Sequence, residues 1–221
     1  MALRFRPGPK SLPPAQSLAS TPGGALLHPF RRLFRALALI ASPGLLLAGC
    51  GGEQLASFDL AAVPAAKMRA GSIRGVLAIA EPKADGPLDS ERIVIRTGPD
   101  QLAYLAGAKW ADNLPALLQS KIIASFENAR LMKSVVRPGG ASDYSLHVDV
   151  RRFEVNVTDN VARIELSARI VSDRTGRPVA AKVFSATAPA DRTADGKAVE
   201  ALDAALADVL RQMVSWTAAA V

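Results

Sequence analysis

The chain has 221 residues, 27 Lys and Arg against 20 Asp and Glu, and a formal net charge of +7. Six of those cations (Arg4, Arg6, Lys10, Arg31, Arg32 and Arg35) and none of the acids lie in residues 1–49. That leaves 21 against 20 from position 50 onward, too even a balance for the clustered cationic surface that nucleic-acid binding needs. A single Cys excludes an intramolecular disulfide and a thiolate zinc site, and His147 is the only histidine beyond that cationic stretch.

Residues 1–30 are rich in Pro, Gly, Ser and Ala without a hydrophobic period, the composition of a disordered segment. Arg31-Arg32-Leu33-Phe34-Arg35 then precedes the apolar stretch Ala36–Leu47, interrupted by Ser42-Pro43-Gly44. A positive flank, a short apolar core and small residues at its end make a secretory signal, here with a long n-region. The core falls short of the ~20 residues a spanning helix needs. Leu47-Ala48-Gly49-Cys50 resembles the lipobox of bacterial lipoproteins. Small Ala48 and Gly49 suit a narrow peptidase site, cleavage is expected between Gly49 and Cys50, and the Cys50 thiol is the group that is alkylated by a diacylglycerol. One chain anchors marginally at ~0.8 kcal/mol per buried CH₂, whereas two or three hold a protein on the bilayer. Gly51 stands where an Asp signals retention in the inner membrane of enterobacteria, so the resemblance implies sorting to the outer membrane, facing the periplasm.

The expected organisation is a signal over 1–49, an acylated tether over 50–71 with a short ordered piece at Phe58-Asp59-Leu60, and a folded domain over 72–221. Ile73–Ala80 reads as a strand stopped by Glu81-Pro82, and Glu91–Arg96 as a second, ending at Gly98-Pro99. Gln101–Leu105 is a candidate third. Asn113 is a candidate N-cap with Pro115 in the first turn, and Leu114, Leu117, Leu118, Ile122, Ile123 and Phe126 recur at helical spacing to about Ala129. Pro138-Gly139-Gly140 breaks the chain. Tyr144, Leu146, Val148 and Val150 alternate with polar residues, and the phase slips at Arg151-Arg152 before Phe153, Val155 and Val157. A bulge there keeps both apolar sets on the core side. Ile164–Ile170 and Val179–Ala186, joined through Asp173-Arg174-Thr175-Gly176, complete a meander. From Asp195, Val199, Leu202, Leu206, Val209, Leu210, Met213 and Trp216 form one helical stripe. Its opposite face is mixed in charge rather than cationic, which predicts docking on the sheet and not on a membrane surface. The expected fold is α+β, a two-layer sandwich of a mainly antiparallel sheet with two helices packed on one face.

No phosphate-binding loop, nucleophile elbow, zincin motif or dinucleotide fingerprint occurs, and no cofactor is implied. His147 is the one candidate general base, on the polar phase of a strand between Ser145 and Asp149. Asp143, Asp149 and Glu154 are the candidate acidic group, Asp149 and Glu154 sharing a face only if the bulge exists. Arg151, Arg152, Arg163 and Arg169 are placed on the exposed side of adjacent strands, to pair across them with acids such as Asp149 and Glu165 or to meet headgroups or an acidic partner.

In order along the chain, the lipobox at Cys50, Glu81-Pro82, Leu88–Val94, Tyr104, Trp110, Tyr144-Ser145-Leu146, Arg152-Phe153 and the closing Trp216 helix resemble the ABC-type transport auxiliary lipoprotein family, which includes PqiC-like proteins. The resemblance covers nearly all of residues 50–221. It implies a non-enzymatic accessory of an MCE-type lipid transporter, anchored through Cys50 beneath the outer membrane. Its partners would be an MCE-domain protein and an ABC permease and ATPase, and members of such families form ring-like homo-oligomers. The same anchored body also suits a structural or regulatory lipoprotein of another envelope assembly, such as peptidoglycan synthesis. Tyr104 and Trp110 are expected to pack at the entrance to the first helix rather than to contact acyl chains.

Overall fold

A computed structural model describes residues 54–67, 73–190 and 195–221. The chain enters on β1 (Ala56–Phe58), a three-residue strand lying parallel to a later one, and makes a 3₁₀ turn at Ala65–Lys67. This stretch, expected to be tether, belongs to the packed body: Leu60 and Val63 are buried among the core residues. The Val63 N–H donates to Ser125 Oγ at 3.0 Å, and Asn128 Nδ2 donates to the Val63 carbonyl at 2.9 Å. The packed body therefore begins at β1, ahead of the expected start near Ser72.

β2 (Ile73–Ile79), β3 (Lys83–Ala84) and β4 (Arg92–Gly98) follow, and β4 turns back antiparallel into β5 (Gln101–Trp110), twice the expected length. α1 (Leu114–Ala129) starts at Asn113 with Pro115 in its first turn, as the sequence predicts. The Asn113 side chain makes no capping bond; the Ser90 carbonyl accepts from the Leu114 N–H at 3.1 Å. Arg130 closes the helix in the left-handed conformation at φ 50°. β6 (Met132–Val136) follows, a strand the sequence reading passes over. The meander is β7 (Tyr144–Asn156), β8 (Val161–Ser172) and β9 (Arg177–Pro189), and α2 (Asp195–Ala220) ends the fold.

β7 is the spine. On one side it pairs antiparallel with β8, which pairs with β9. On the other side β2, β3 and β4 lie along it in sequence, opposite Tyr144–Leu146, Asp149-Val150 and Glu154–Asn156, all parallel to it. Together they line that side of β7 with interruptions: Pro82 and Pro87, which lack an N–H to donate, fall in the two gaps. β6 continues the sheet beyond β2, again in parallel. The nine-stranded sheet is mixed: its long pairings, β4 with β5, β7 with β8 and β8 with β9, are antiparallel as expected, and the shorter ones are parallel. Hairpin turns mark antiparallel pairs in the sequence, while parallel neighbours return through α1 or a loop and leave no local signature.

The register of β7 on β8 shifts between Val150 and Arg152, so the bulge lies where the phase slips. It returns Phe153 to the core side, where it is 1% exposed. Leu146, Val148 and Val150 with Ile164, Leu166 and Ile170 are buried under the helices. α2 crosses β8 and β9, α1 lies over β2 and β6, and the helices touch each other. On α2, Val199, Leu202, Leu206, Val209, Leu210 and Met213 are all buried, at roughly 1.5–3 kcal/mol each for a large side chain. Ala198, Ala201 and Ala205 bring the helix backbone close to the sheet. Trp216 is only partly buried, edge-on to Phe184 with ring centroids 5.4 Å apart. The turn into β9 closes at Gly176, whose φ of 68° suits glycine, and its N–H donates to the Ser172 carbonyl at 2.7 Å. The α+β class is as the sequence predicts.

Candidate functional site

Polar candidates from β7 and β8 converge on the face of the sheet away from the core. His147 sits opposite Arg169, and among the described residues its ring makes no hydrogen bond. Its neighbour Ser145 donates to Asp173 Oδ1 at 2.6 Å, so that hydroxyl is held by a turn carboxylate and not by the imidazole. The acidic candidates are separated. Asp143 Oδ2 accepts from the Val76 N–H at 2.8 Å and fixes the start of the sheet edge. Asp149 and Glu154 do share a face because of the bulge, opposite Ser167 and Arg163 respectively. Those positions are four residues apart on β8, about 13 Å, too far to act on one bond. Asp149 is exposed, whereas Glu154 is 3% exposed. No cluster of three His, Cys, Asp or Glu side chains fit to hold a metal occurs among the described residues.

Glu154 is stabilised by Arg96, a residue the sequence reading gave no role. Arg96 Nε and Nη2 donate to the two carboxylate oxygens at 2.7 and 3.0 Å, and its Nη1 donates to the Pro99 carbonyl at 2.8 Å. The Glu154 hydrogen bond holds the guanidinium pKa above its ordinary value against the opposing effect of burial. This bidentate pair staples β4 to β7 and is structural in character. Nothing in the local sequence marks it, because the partners lie 58 positions apart.

Two of the four arginines expected on the exposed side of β7 and β8 are held by local acids. Arg151, the bulged residue, approaches Glu165 at 3.4 Å, and Arg163 approaches Asp159 of the preceding turn at 3.3 Å. Arg152 faces Glu165 in register, and Arg169 faces His147. Asp149 takes no part in these pairs. A cleft of about 380 Å³ lies where β3 meets β7, lined by Lys83, Asp85, Leu88, Asp149, Val150 and Arg151. It combines both signs of charge.

Tyr104 and Trp110 do not share a role. Trp110 is 1% exposed at the end of β5, edge-on to Phe153 with centroids 5.8 Å apart. It packs between strands, in the core beneath the start of α1. Tyr104 is 43% exposed, with the Arg92 guanidinium 5.0 Å from its ring centroid, which corrects the expectation of packing at the helix. Cys50 and Gly49, the expected acylation and cleavage positions, lie outside the described residues. Among the described residues no helix is long and apolar enough to cross a membrane.

The profile of the family described as "ABC-type transport auxiliary lipoprotein component" matches residues 58–214, from the end of β1 nearly to the end of α2. The chain is 38% identical over 162 residues to the protein bll6063 of Bradyrhizobium diazoefficiens, across 72% of this chain and 42% of that one. It thus spans about two fifths of that relative's length. Among solved structures it is similar to protein XCC0632 of Xanthomonas campestris, at 29% identity and a TM-score of 0.66, covering 75% of this chain and 95% of that one. A second crystal structure, 16% identical with a TM-score of 0.56 and covering 74% of this chain and 98% of that one, shares the fold.

Proposed function

We propose that this chain, which belongs to the ABC-type transport auxiliary lipoprotein family, is the lipid-anchored, non-enzymatic accessory of an MCE-linked ABC lipid transporter. Cys50 carries the acyl chains after cleavage behind Gly49, and they hold the body at the outer membrane, facing the periplasm. There it docks the far end of a conduit formed by an MCE-domain protein, whose inner-membrane end is served by the permease and ATPase. The observation that carries this reading is the family match across nearly all of the packed body, residues 58–214.

The chemistry of the chain is consistent with it. Leu47-Ala48-Gly49-Cys50 supplies a thiol directly after a secretory core. Two or three acyl chains at ~0.8 kcal/mol per buried CH₂ give a lasting attachment to the bilayer. Several polar side chains of the sheet fasten it: Arg96 to Glu154, Arg163 to Asp159, Ser145 to Asp173. A docking subunit needs such a rigid body and a surface, not a reactive centre.

The test is affinity purification of the acylated chain from solubilised envelopes. An MCE-domain protein together with a permease and an ATPase is the expected yield. Consistent recovery of a different assembly, a peptidoglycan synthase for instance, without any of those three would overturn the assignment.

A further inference from the structure

The large hydrophobic side chains exposed among the described residues are Leu102, Tyr104, Val179 and Val183. They fall on two distant strands. Val179 and Val183 belong to β9, and Leu102 and Tyr104 to β5; β8, β7 and β4 lie between. At about 4.8 Å per strand that places the two groups some 19 Å apart across the sheet. Single exposed apolar residues are ordinary, so position decides which pair has a role.

β1 lies against β5 with Ala56 beside Ala108, and the two run parallel. The chain therefore approaches β1 from the side of the earlier β5 residues, Tyr104 and Leu102. The first described residue, Gln54, is four residues from Cys50. Whatever path those residues take, they span at most about 14 Å. An acylated Cys50 thus holds the bilayer surface next to the β5 edge, while β9 lies on the far side of the sheet.

The β5 edge has the chemistry of a membrane contact. Leu102, Tyr104 and Ala106 are exposed at alternate positions and so form one row. Tyr is favoured at the headgroup level, where its ring is sheltered and its hydroxyl is wet. Beside it, the Arg92 guanidinium stacks on the Tyr104 ring, 5.0 Å from its centroid. The neighbouring cations are already engaged, Arg96 by Glu154 and Lys109 by Glu91 at 2.6 Å. Asp100 occupies the tip of the β4–β5 hairpin, so the flank of the hairpin suits the bilayer and the tip does not.

We infer that the flank of the β4–β5 hairpin, with Leu102 and Tyr104 at the headgroup level, rests on the same bilayer that holds the Cys50 acyl chains. This orientation depends on the acylation of Cys50 proposed above. It sets the sheet edge-on to the membrane and leaves β9 turned toward the periplasm, free for protein partners.

The test places a tryptophan at each edge of the full acylated chain, Tyr104→Trp or Val183→Trp, in vesicles of phosphatidylethanolamine with a minority of phosphatidylglycerol. Lipids brominated close to the headgroup should remove about half of the emission added by Tyr104→Trp and leave that added by Val183→Trp unchanged. Adding Leu102→Asp should reduce the quenching severalfold. A thermal melt matching the parent's establishes that each variant is folded, and Leu102→Trp replaces Tyr104→Trp if it does not. Equal quenching at both positions would mean that the open face lies flat on the bilayer, and none at either would place the membrane elsewhere; each overturns the inference. The mass of the same vesicle-bound protein separates the two claims: a bare Cys50 defeats the anchor and the orientation together, while an acylated but unquenched chain defeats the orientation alone.

Discussion

Replacing Arg96 by Met isolates the role of the pair that fastens β4 to β7. The substitution keeps an unbranched side chain of similar reach and removes both hydrogen bonds to Glu154, at 2.7 and 3.0 Å, and the one to the Pro99 carbonyl. Glu154, 3% exposed, is left as a buried carboxylate without a counter-charge. Breaking a buried pair from one side costs about 3–5 kcal/mol. The lower end applies here, because the Arg96 side chain is 24% exposed and water can reach part of the vacated space. About 3 kcal/mol in a domain of this size corresponds to a melting temperature lower by roughly 6–12 °C. Calorimetry and urea denaturation both read it. The double variant Arg96→Met/Glu154→Leu removes both charges and should return to within about 1 kcal/mol of the parent. A loss below about 1 kcal/mol in the single variant, or a double variant as unstable as the single, would refute the reasoning that the lone carboxylate is the cost.

Phe153→Ala should cost about 3–5 kcal/mol by denaturant titration, since it empties a fully buried site against the Trp110 ring. Arg130→Gly should raise stability by about 0.5 kcal/mol, because Arg130 holds a left-handed conformation that glycine adopts freely; the same titration resolves the gain. Asn160→Val should have the opposite sign and lose about 1 kcal/mol or more by thermal melt, since a β-branched residue resists the φ of 54° in the β7–β8 turn. Under a non-enzymatic role, His147→Ala should complement a deletion strain in detergent sensitivity as well as the parent does.

The elements legible in advance were those whose signal is local. Burial on one side of β7 and β8 forces strict alternation, and the slip at Arg151-Arg152 could be absorbed only by a bulge if Phe153 was to stay dry. α2 announces itself through six large side chains at helical spacing, all of them buried. What was hidden depends on partners distant in sequence. β6 is five residues long and begins just after a helix that ends on Arg130, so its apolar residues look like the helix tail; parallel pairing with β2 makes them a strand. β2 and β4 read as separate strands and β3 is not read as a strand at all; only their shared partner β7 shows that the three line one side of it. Glu154 alternates as an exposed acid would, yet Arg96 allows it to be buried. Tyr104 and Trp110 share one expectation in the sequence, although the register irregularity between Arg92 and Val94 lies between them and sends one outward and one inward.

The central claim is the acyl anchor on Cys50, and an intact-mass measurement of the protein extracted from envelopes tests it most directly. The account predicts a chain that begins at Cys50 and is heavier by a diacylglyceryl group, with or without a third acyl chain on the amine. A chain that keeps residues 1–49, or one whose Cys50 sulfur is unmodified, would contradict it.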